Sequence, residues 1–330
     1  MLKLTEFDYP LPKELIAQYP LEDRGQARLL IVNRKTGTIS HEVFKEIAGF
    51  FRKNDLLVLN DTKVLHCRLM GNKITGGRVE ILLTRRINGT TFSCLVQPSR
   101  TKVGEKIIFA SGKVTGILSS RGQISFKQTD ADMIYNFGIV PLPPYIKRDP
   151  EDLDTVYYQT VYAKNEGALA APTAGLHFTP ESLKQIQAVG VNLGYVTLHV
   201  GLGTFRPVKC ENITEHKMEP EYFLVPDATI AALAKVKADK GRIIAVGTTS
   251  LRALETYASG RKEGNTDLFI YPGYKFASVD CLLTNFHLPM TTLFMLVCAF
   301  GGKDLMTKAY QEAVDKKYRF YSYGDAMLII

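Results

Sequence analysis

The feature that most constrains the fold of this 330-residue chain is a change in sequence texture over residues 62–128. This region contains six short β-type segments separated by turns, namely VLHCRLMG, GGRVEILLTRR, TTFSCLVQP, EKIIFASG, KVTGILSS and QISFKQ. Turn signals about every 8–12 residues are typical of a small barrel or sandwich. We therefore predict an α/β protein in which a β-barrel domain, residues 62–148, interrupts a discontinuous α/β catalytic domain, residues 1–61 and 149–330.

The sequence on both sides of this region alternates between helix and strand patterns. The apolar run at residues 56–59 is short enough for a buried parallel strand. Residues 41–52 have helical spacing, and residues 268–271 are expected to form a strand. A glycine and three hydroxyl residues directly follow the strand expected at residues 242–246, at the start of another helix.

The charge content of the chain limits the classes of partner that the protein can have. The 41 Lys and Arg residues exceed the 33 Asp and Glu residues, giving a net charge of +8. Such an excess suits a polyanionic partner, although many basic proteins have none. The basic residues of the β-rich region are equally well explained as solvated charges that protect edge strands. They are Arg85, Arg86, Arg100, Lys102 and Lys106.

The location of the protein is also constrained by the sequence. Five scattered cysteines without a C-x-x-C pair favour a reducing compartment and argue against a zinc ribbon. The N-terminus lacks the apolar core of a signal peptide, and the most apolar window, residues 291–300, is too short to span a bilayer. We expect a cytoplasmic protein that does not bind membranes.

Two glycine-containing turns flank a helix–strand unit within residues 167–208. The helix is expected to begin with Thr179 as its cap and Pro180 at its first position. The turns carry Pro172, Thr173, Gly175 and His177 on one side and His199, Gly201, Gly203 and Thr204 on the other. Glycines allow close approach of the backbone to a ligand, and the histidines titrate near neutrality. These turns indicate a binding site, although a lone histidine is often structural.

Three further clusters carry polar groups that are candidates for a site. The first is Thr248, Thr249 and Ser250 at a helix start, where an anionic or hydroxylated ligand binds readily, followed by Arg252. The second comprises Asp280, Asn285 and His287, expected at one strand end, where open α/β sheets bind ligands. The third, His216 and Glu219 within TEHKMEPE, does not match H-E-x-x-H. A proton-transfer pair or a substrate hydrogen-bonding loop is therefore favoured over a metal site, and an ordinary polar loop remains an alternative.

Seven blocks of sequence, taken in order, carry a family resemblance. They are YQTVYA, AAPTAGLHFT, LHVGLGTFRPV, AVGTTSLRALE, FIYPGYKF, LLTNFHLP and YRFYSYGDAMLI. Together with LIAQYP and DLLVLNDTKV near the N-terminus, they resemble the S-adenosylmethionine:tRNA ribosyltransferase-isomerase family of queuosine biosynthesis. The resemblance covers essentially the whole chain, and it also implies an α/β domain with an inserted β-barrel.

The resemblance implies a specific reaction. The ribosyl part of S-adenosylmethionine is transferred to the aminomethyl group of a 7-deazaguanine in the tRNA anticodon and is isomerised, giving epoxyqueuosine. Adenine and methionine are released. S-adenosylmethionine then acts as a substrate, and we expect no prosthetic group, no metal and a monomeric enzyme.

This reaction needs groups that move protons and groups that hold the substrate. The sulfonium acidifies the adjacent 5′ carbon, adenine leaves more easily when protonated, and the attacking amine must be neutral. We assign proton transfer to His177, His199, His216 and His287, with Glu219 and Asp280 as partners, and leave open which is base and which is acid. The two glycine-containing turns, the helix start at Thr248–Ser250 and Asn285 are expected to hold the ribose hydroxyls and the methionine carboxylate. Arg252 is expected to be a partner of that carboxylate. Stacking on a base is expected from Tyr271, Tyr274, Tyr323 or Phe286.

Two other functions remain open from the residues alone. An S-adenosylmethionine-dependent RNA methyltransferase shares the basic charge and a glycine turn after a strand, but would produce S-adenosylhomocysteine. A non-enzymatic RNA-binding protein would bind tRNA in a salt-sensitive way without consuming S-adenosylmethionine. The histidines and the hydroxyl-rich turns argue against simple binding.

Overall fold

The structure is a computed structural model that describes residues 2–127, 131–201, 203 and 207–330. These residues form seventeen strands and seven α-helices, with short 3-10 helices between them. The helices are α1 (Ala131–Ile134), α2 (Asp152–Tyr157), α3 (Pro180–Ala188), α4 (Asp227–Ala238), α5 (Gly247–Ala258), α6 (Thr292–Gly301) and α7 (Lys303–Asp315). The strands before the barrel are β1 (Arg28–Val32), β2 (Ile39–Val43), β3 (Leu56–Asn60) and β4 (Thr62–Val64). The barrel strands are β5 (Arg68–Lys73), β6 (Arg78–Asn88), β7 (Thr91–Gln97), β8 (Lys106–Phe109), β9 (Val114–Ser120) and β10 (Gln123–Lys127). The later strands are β11 (Asn165–Ala168), β12 (Asn192–Leu198), β13 (Glu221–Leu224), β14 (Ile243–Val246), β15 (Glu263–Thr266), β16 (Cys281–Asn285) and β17 (Ala326–Ile329).

The main sheet has nine strands in the order β15-β13-β12-β3-β14-β16-β17-β1-β2. Strand β3, in the interior of this sheet, pairs in parallel with β12 and β14, and all five of its residues are buried. Alternate β3 side chains belong to two different hydrophobic clusters, Leu56 and Val58 on one face and Leu57 and Leu59 on the other. Burial of each such leucine contributes about 1.5–3 kcal/mol. The continuous apolar sequence of β3 is therefore explained by a sheet covered on both faces, as predicted.

Six antiparallel strands close into a barrel in the order β10-β7-β6-β5-β8-β9. They correspond to the six β-type segments of the sequence, and their inward side chains, among them Ile81, Phe92 and Phe109, form a separate core. The predicted α/β fold with an inserted small β-barrel is confirmed. Strand β4 pairs with β11, outside the barrel, so the division at residues 62 and 149 stays a prediction.

Several element predictions differ from the structure. Residues 41–52 are not one α-helix, because β2 pairs antiparallel with β1 at the sheet edge before a 3-10 helix, Phe44–Phe50. Phe44 and Ile47 are buried three residues apart, a spacing that a 3-10 helix also satisfies. No strand forms at residues 268–271, since the segment that pairs with β13 is Glu263–Thr266. Among the described residues, no helix is both long and apolar enough to cross a membrane.

Candidate active site

A cavity lies at one edge of the main sheet, where several strands end together. Strands β12, β3, β14 and β16 are parallel, so their carboxyl ends share this edge. Strand β17 is antiparallel to β16, which places Tyr321 and Ser322, shortly before β17, at the same edge. Loops at the carboxyl ends of such strands are a common position for ligand sites.

The cavity is built from the motif blocks. The space between the lining residues is about 540 Å³, including the part open to solvent. Its walls include six of the residues expected from the sequence, namely Pro172, Thr173, Thr248, Thr249, Asn285 and His287. The first turn, the start of α5 and the end of β16 therefore meet around one space.

His287 is the histidine that lines this cavity. Its Nε2 lies 2.8 Å from Thr284 Oγ1, and the Thr284 hydroxyl donates to the Asn285 carbonyl at 3.3 Å. The Thr284 hydroxyl therefore orients the His287 ring through its Nε2 atom. Burial lowers the pKa of His287 to about 3, so the imidazole is neutral at pH 7 and is in the form that accepts a proton.

His177 is joined to the cavity through Asn285. The Asn285 amide nitrogen donates to the carbonyls of Tyr321 and Ser322 at 2.8 and 3.3 Å. Its oxygen therefore faces His177, whose Nε2 donates to it across 3.0 Å. Burial lowers the pKa of His177 to about 4, and the Asn285 contact offsets part of this shift. His177 is thus a neutral imidazole with its proton held on Nε2.

His199 lies beside the cavity rather than in its wall. Its Nδ1 is 2.8 Å from Thr62 Oγ1, and its ring stacks on Tyr222 with centroids 5.4 Å apart. A Cβ at Gly167 would approach His199 Nε2 to 2.6 Å, so this site requires glycine. Burial lowers the pKa of His199, and nearby Asp61 opposes the shift. The next residue, Val200, does line the cavity.

Known proteins are similar to this chain over nearly its whole length. Residues 4–329 match the family described as queuosine biosynthesis protein. The chain belongs to this family. Curated relatives named S-adenosylmethionine:tRNA ribosyltransferase-isomerase include proteins from Sulfurihydrogenibium sp. at 50% identity and Aquifex aeolicus at 46%, each covering 100% of both chains. The crystal structure of an S-adenosylmethionine tRNA ribosyltransferase from Thermotoga maritima matches with a TM-score of 0.58 and 38% identity, covering 98% of this chain and 100% of that one.

Family membership confirms the resemblance found in the sequence. The relatives carry the name of one transferase–isomerase over their full length, so this member of the family is an enzyme of that class. Among the described side chains, no group of three or more His, Cys, Asp and Glu is arranged to hold a metal ion.

Several expected binding residues lie away from the cavity wall. Gly175 packs so closely against Tyr162 that a Cβ would lie 2.0 Å from the tyrosine oxygen. Ser250 is fully buried in α5. Gly201 donates its N–H to Glu221 at 2.8 Å, and the other Glu221 oxygen accepts from Arg252. Both members of this ion pair are buried, so the Arg252 guanidinium is already engaged by a carboxylate of the protein itself.

The remaining candidates occupy other positions. His216 packs edge-on against Phe269, 5.2 Å between centroids, and burial lowers its pKa. Glu219 lies against Gly203, whose Cβ would be 2.9 Å from the Glu219 Cβ. Thr204 lies outside the described residues. The structure brings neither His216 nor Glu219 into the cavity wall.

The expectation that Asp280 shares a strand end with Asn285 and His287 is wrong. Asp280 comes just before β16, and its carboxylate accepts the Ile243 N–H at 2.8 Å at the start of β14. At about 3.3 Å per residue, roughly 16 Å of strand separates it from Asn285. Asp280 therefore lies at the opposite edge of the sheet, where it anchors two strands.

Sequence reasoning missed five polar groups at the site, one of which is Thr284, the cavity residue that contacts His287. Tyr145, Tyr321 and Ser322 line the cavity, and Tyr145 hydrogen-bonds to the Ser322 hydroxyl. Asn60, at the end of β3, lies behind the wall. The signal for Asn60 was available, because it is the polar residue that ends a fully apolar strand at a ligand-binding edge. Phe286 is the one aromatic stacking candidate that lines the cavity.

Proposed function

We propose that this enzyme transfers and isomerises the ribosyl moiety of S-adenosylmethionine onto 7-aminomethyl-7-deazaguanine at the wobble position of tRNA. The products are epoxyqueuosine-tRNA, adenine and methionine. The observation that supports this most directly is the full-length match, at 50% identity, to relatives named for this activity. The cavity at the sheet edge is lined by residues of the matching motif blocks, and this supports placing the active site there.

Within this proposal, His287 is the group that contacts the substrate. It lines the cavity and is neutral, which is the form that can accept the 5′ proton that the adjacent sulfonium acidifies. Its lowered pKa makes it a weak base, so the acidity of that proton must come mainly from the sulfonium. His177 acts one hydrogen bond behind the wall, through Asn285. The bond between the ribose and adenine breaks as adenine takes up a proton. The amine nitrogen of the deazaguanine forms a bond to a ribosyl carbon and loses a proton, and the C5′–S bond breaks so that methionine leaves as a neutral thioether. His199, His216 and Glu219 remain candidates for these other transfers.

The other expectations remain part of the same proposal. S-adenosylmethionine serves as a substrate, without a prosthetic group or a metal, in a cytoplasmic monomer. Residues 62–148 form the inserted domain, and the exposed Arg85 and Arg86 on β6 give it positive charge near the RNA. Thr173, Thr248 and Thr249 supply hydroxyls to the donor substrate in the cavity.

The test is to incubate the protein with S-adenosylmethionine and tRNA that carries the deazaguanine, and to identify all products. We expect adenine, methionine and a modified wobble nucleoside, and none of them with tRNA that carries guanine instead. S-adenosylhomocysteine would show a methyltransferase. Salt-sensitive tRNA binding without consumption of S-adenosylmethionine would show a binding protein.

Variants of the histidines test the proton-transfer roles. We expect His287→Ala to lower the rate of adenine release by about 10²–10⁴-fold, the usual contribution of acid–base groups. His177→Ala and His199→Ala should also slow release. His41→Ala is the matched control, because His41 contacts Glu312 and Tyr318 at the far edge of the sheet. Near-wild-type rates in folded His177, His199 and His287 variants would refute the assignment.

A further inference from the structure

Asn60 ends β3, an interior strand of the main sheet, and is almost completely buried, at 1% exposure. Its side-chain oxygen accepts two backbone N–H groups, from Leu198 at 3.0 Å and from Thr62 at 3.2 Å. Its side-chain nitrogen donates to the Leu198 carbonyl at 3.0 Å. If the amide were rotated by 180°, its nitrogen would face the N–H groups of Leu198 and Thr62, and its oxygen would face the Leu198 carbonyl oxygen. The orientation of this carboxamide is therefore fixed by its partners.

The same nitrogen donates to Thr249 Oγ1 across 3.1 Å. Thr249 lines the cavity, and its oxygen is here an acceptor. A hydroxyl that accepts in this way keeps its own hydrogen for another partner. Within the described part of the chain, Asn60 is the one hydrogen-bond partner of that hydroxyl. The hydrogen is therefore available to a molecule in the cavity.

We propose that Asn60 is a positioning residue that makes Thr249 a hydrogen-bond donor to an acceptor atom of S-adenosylmethionine. This inference depends on the proposed function for the identity of the ligand. Asn60 contacts no substrate in this scheme and acts only through the threonine hydroxyl. Its effect must then appear in the binding of S-adenosylmethionine, with little effect on the KM for tRNA.

The first variant to test is Asn60→Asp, which has the same shape. Aspartate still accepts the N–H groups of Leu198 and Thr62, but it can donate neither to Thr249 nor to the Leu198 carbonyl. Its second oxygen then faces that carbonyl, so this variant is also expected to lose some stability. The Thr249 hydroxyl would then donate to the aspartate and turn away from the cavity. We expect the KM for S-adenosylmethionine to rise about tenfold, the loss of one hydrogen bond, with kcat within about twofold of the wild type.

Variants of Thr249 keep the test valid even if Asn60→Asp does not fold. Thr249→Val removes the hydroxyl at constant shape and should raise the same KM about tenfold, whereas Thr249→Ser should restore the wild-type KM. Combining Asn60→Asp with Thr249→Val should add nothing to Thr249→Val alone. An unchanged KM in Thr249→Val, or additive effects in the double variant, would overturn the inference.

Calorimetric binding of S-adenosylmethionine separates this inference from the proposed function. If the wild type binds the compound but releases no adenine, the proposed function fails. A tenfold loss of affinity in Thr249→Val would still support the inference. If the wild type does release adenine and Thr249→Val binds as tightly as wild type, the inference alone fails.

Discussion

Replacing Glu221 by Gln should destabilise the fold more than its size suggests, because it leaves a buried arginine without a counter-charge. Glu221 and Arg252 are 4% and 3% exposed. Removing one member of a buried ion pair typically costs about 3–5 kcal/mol. Gln can still accept the Gly201 N–H, and the Leu268 carbonyl still accepts from Arg252 Nε at 2.9 Å. We therefore expect about 3 kcal/mol, the lower end of that range.

The cause can be isolated with a double variant. Glu221→Gln combined with Arg252→Met removes both charges, and a buried pair replaced in this way is often close to neutral. The double variant should therefore be more stable than either single variant. Asp227→Asn is the matched control, because Asp227 forms an exposed pair with Lys262, and should change the stability by less than about 1 kcal/mol.

The assay is urea unfolding of the four variants and the wild type, followed by circular dichroism. Free energies that simply add in the double variant would refute the argument, because the two charges would then act independently. A loss in Glu221→Gln no larger than in Asp227→Asn would refute it as well. The outcome also bears on catalysis, since the pair joins α5 to Gly201 beside the cavity.

Three further outcomes are expected. Burial lowers the pKa values of His177 and His287 to about 4 and about 3, so the unfolded chain takes up protons first as the pH falls. Stability measured by urea unfolding should therefore drop by roughly 2 kcal/mol per histidine between pH 7 and pH 5; a flat profile would contradict this. Asn285→Asp places a negative charge against His177 and should raise the His177 pKa, measured by NMR titration; a further decrease would contradict the assigned contact. Gly71→Ala puts a Cβ 2.6 Å from the Phe109 ring in the barrel and should cost about 1–3 kcal/mol in thermal unfolding; an unchanged midpoint would contradict the packing.

Local sequence patterns were sufficient to predict the fold because they indicate which side chains are buried. The six barrel strands follow from alternating side chains between turns, and β3 from an apolar run that only a doubly covered sheet explains. Residues 41–52 show the limit of this reasoning. Their apolar spacing fits an α-helix equally well, and only pairing with β1 decides that the segment begins as an edge strand.

The site was only partly predictable. The sequence alone does not show at which edge of the sheet a residue lies, because that depends on where its strand begins and ends and on how the strand is oriented relative to its neighbours. Asp280 and Asn285 are five residues apart, yet they lie at opposite edges of the sheet because β16 separates them. Arg252 was expected at the ligand because arginine is a good partner for carboxylates. The structure instead provides it with Glu221, a carboxylate 31 residues away in sequence.

Two carboxamides determine the hydrogen-bonding character of the cavity, and both end buried strands. Asn60 ends β3 and Asn285 ends β16. Backbone groups occupy both sides of the Asn60 amide, and two backbone carbonyls hold the Asn285 amide nitrogen, so neither side chain can rotate to suit a ligand. Asn60 thereby keeps the Thr249 hydrogen free, and Asn285 holds the His177 proton on Nε2. Because neither amide is charged, they impose these directions while both histidines stay neutral at pH 7; the Asn285 contact raises the pKa of His177 only enough to offset part of the effect of burial. In the reaction proposed above, such a neutral wall keeps the His287 imidazole unprotonated, which is the form that can accept a proton.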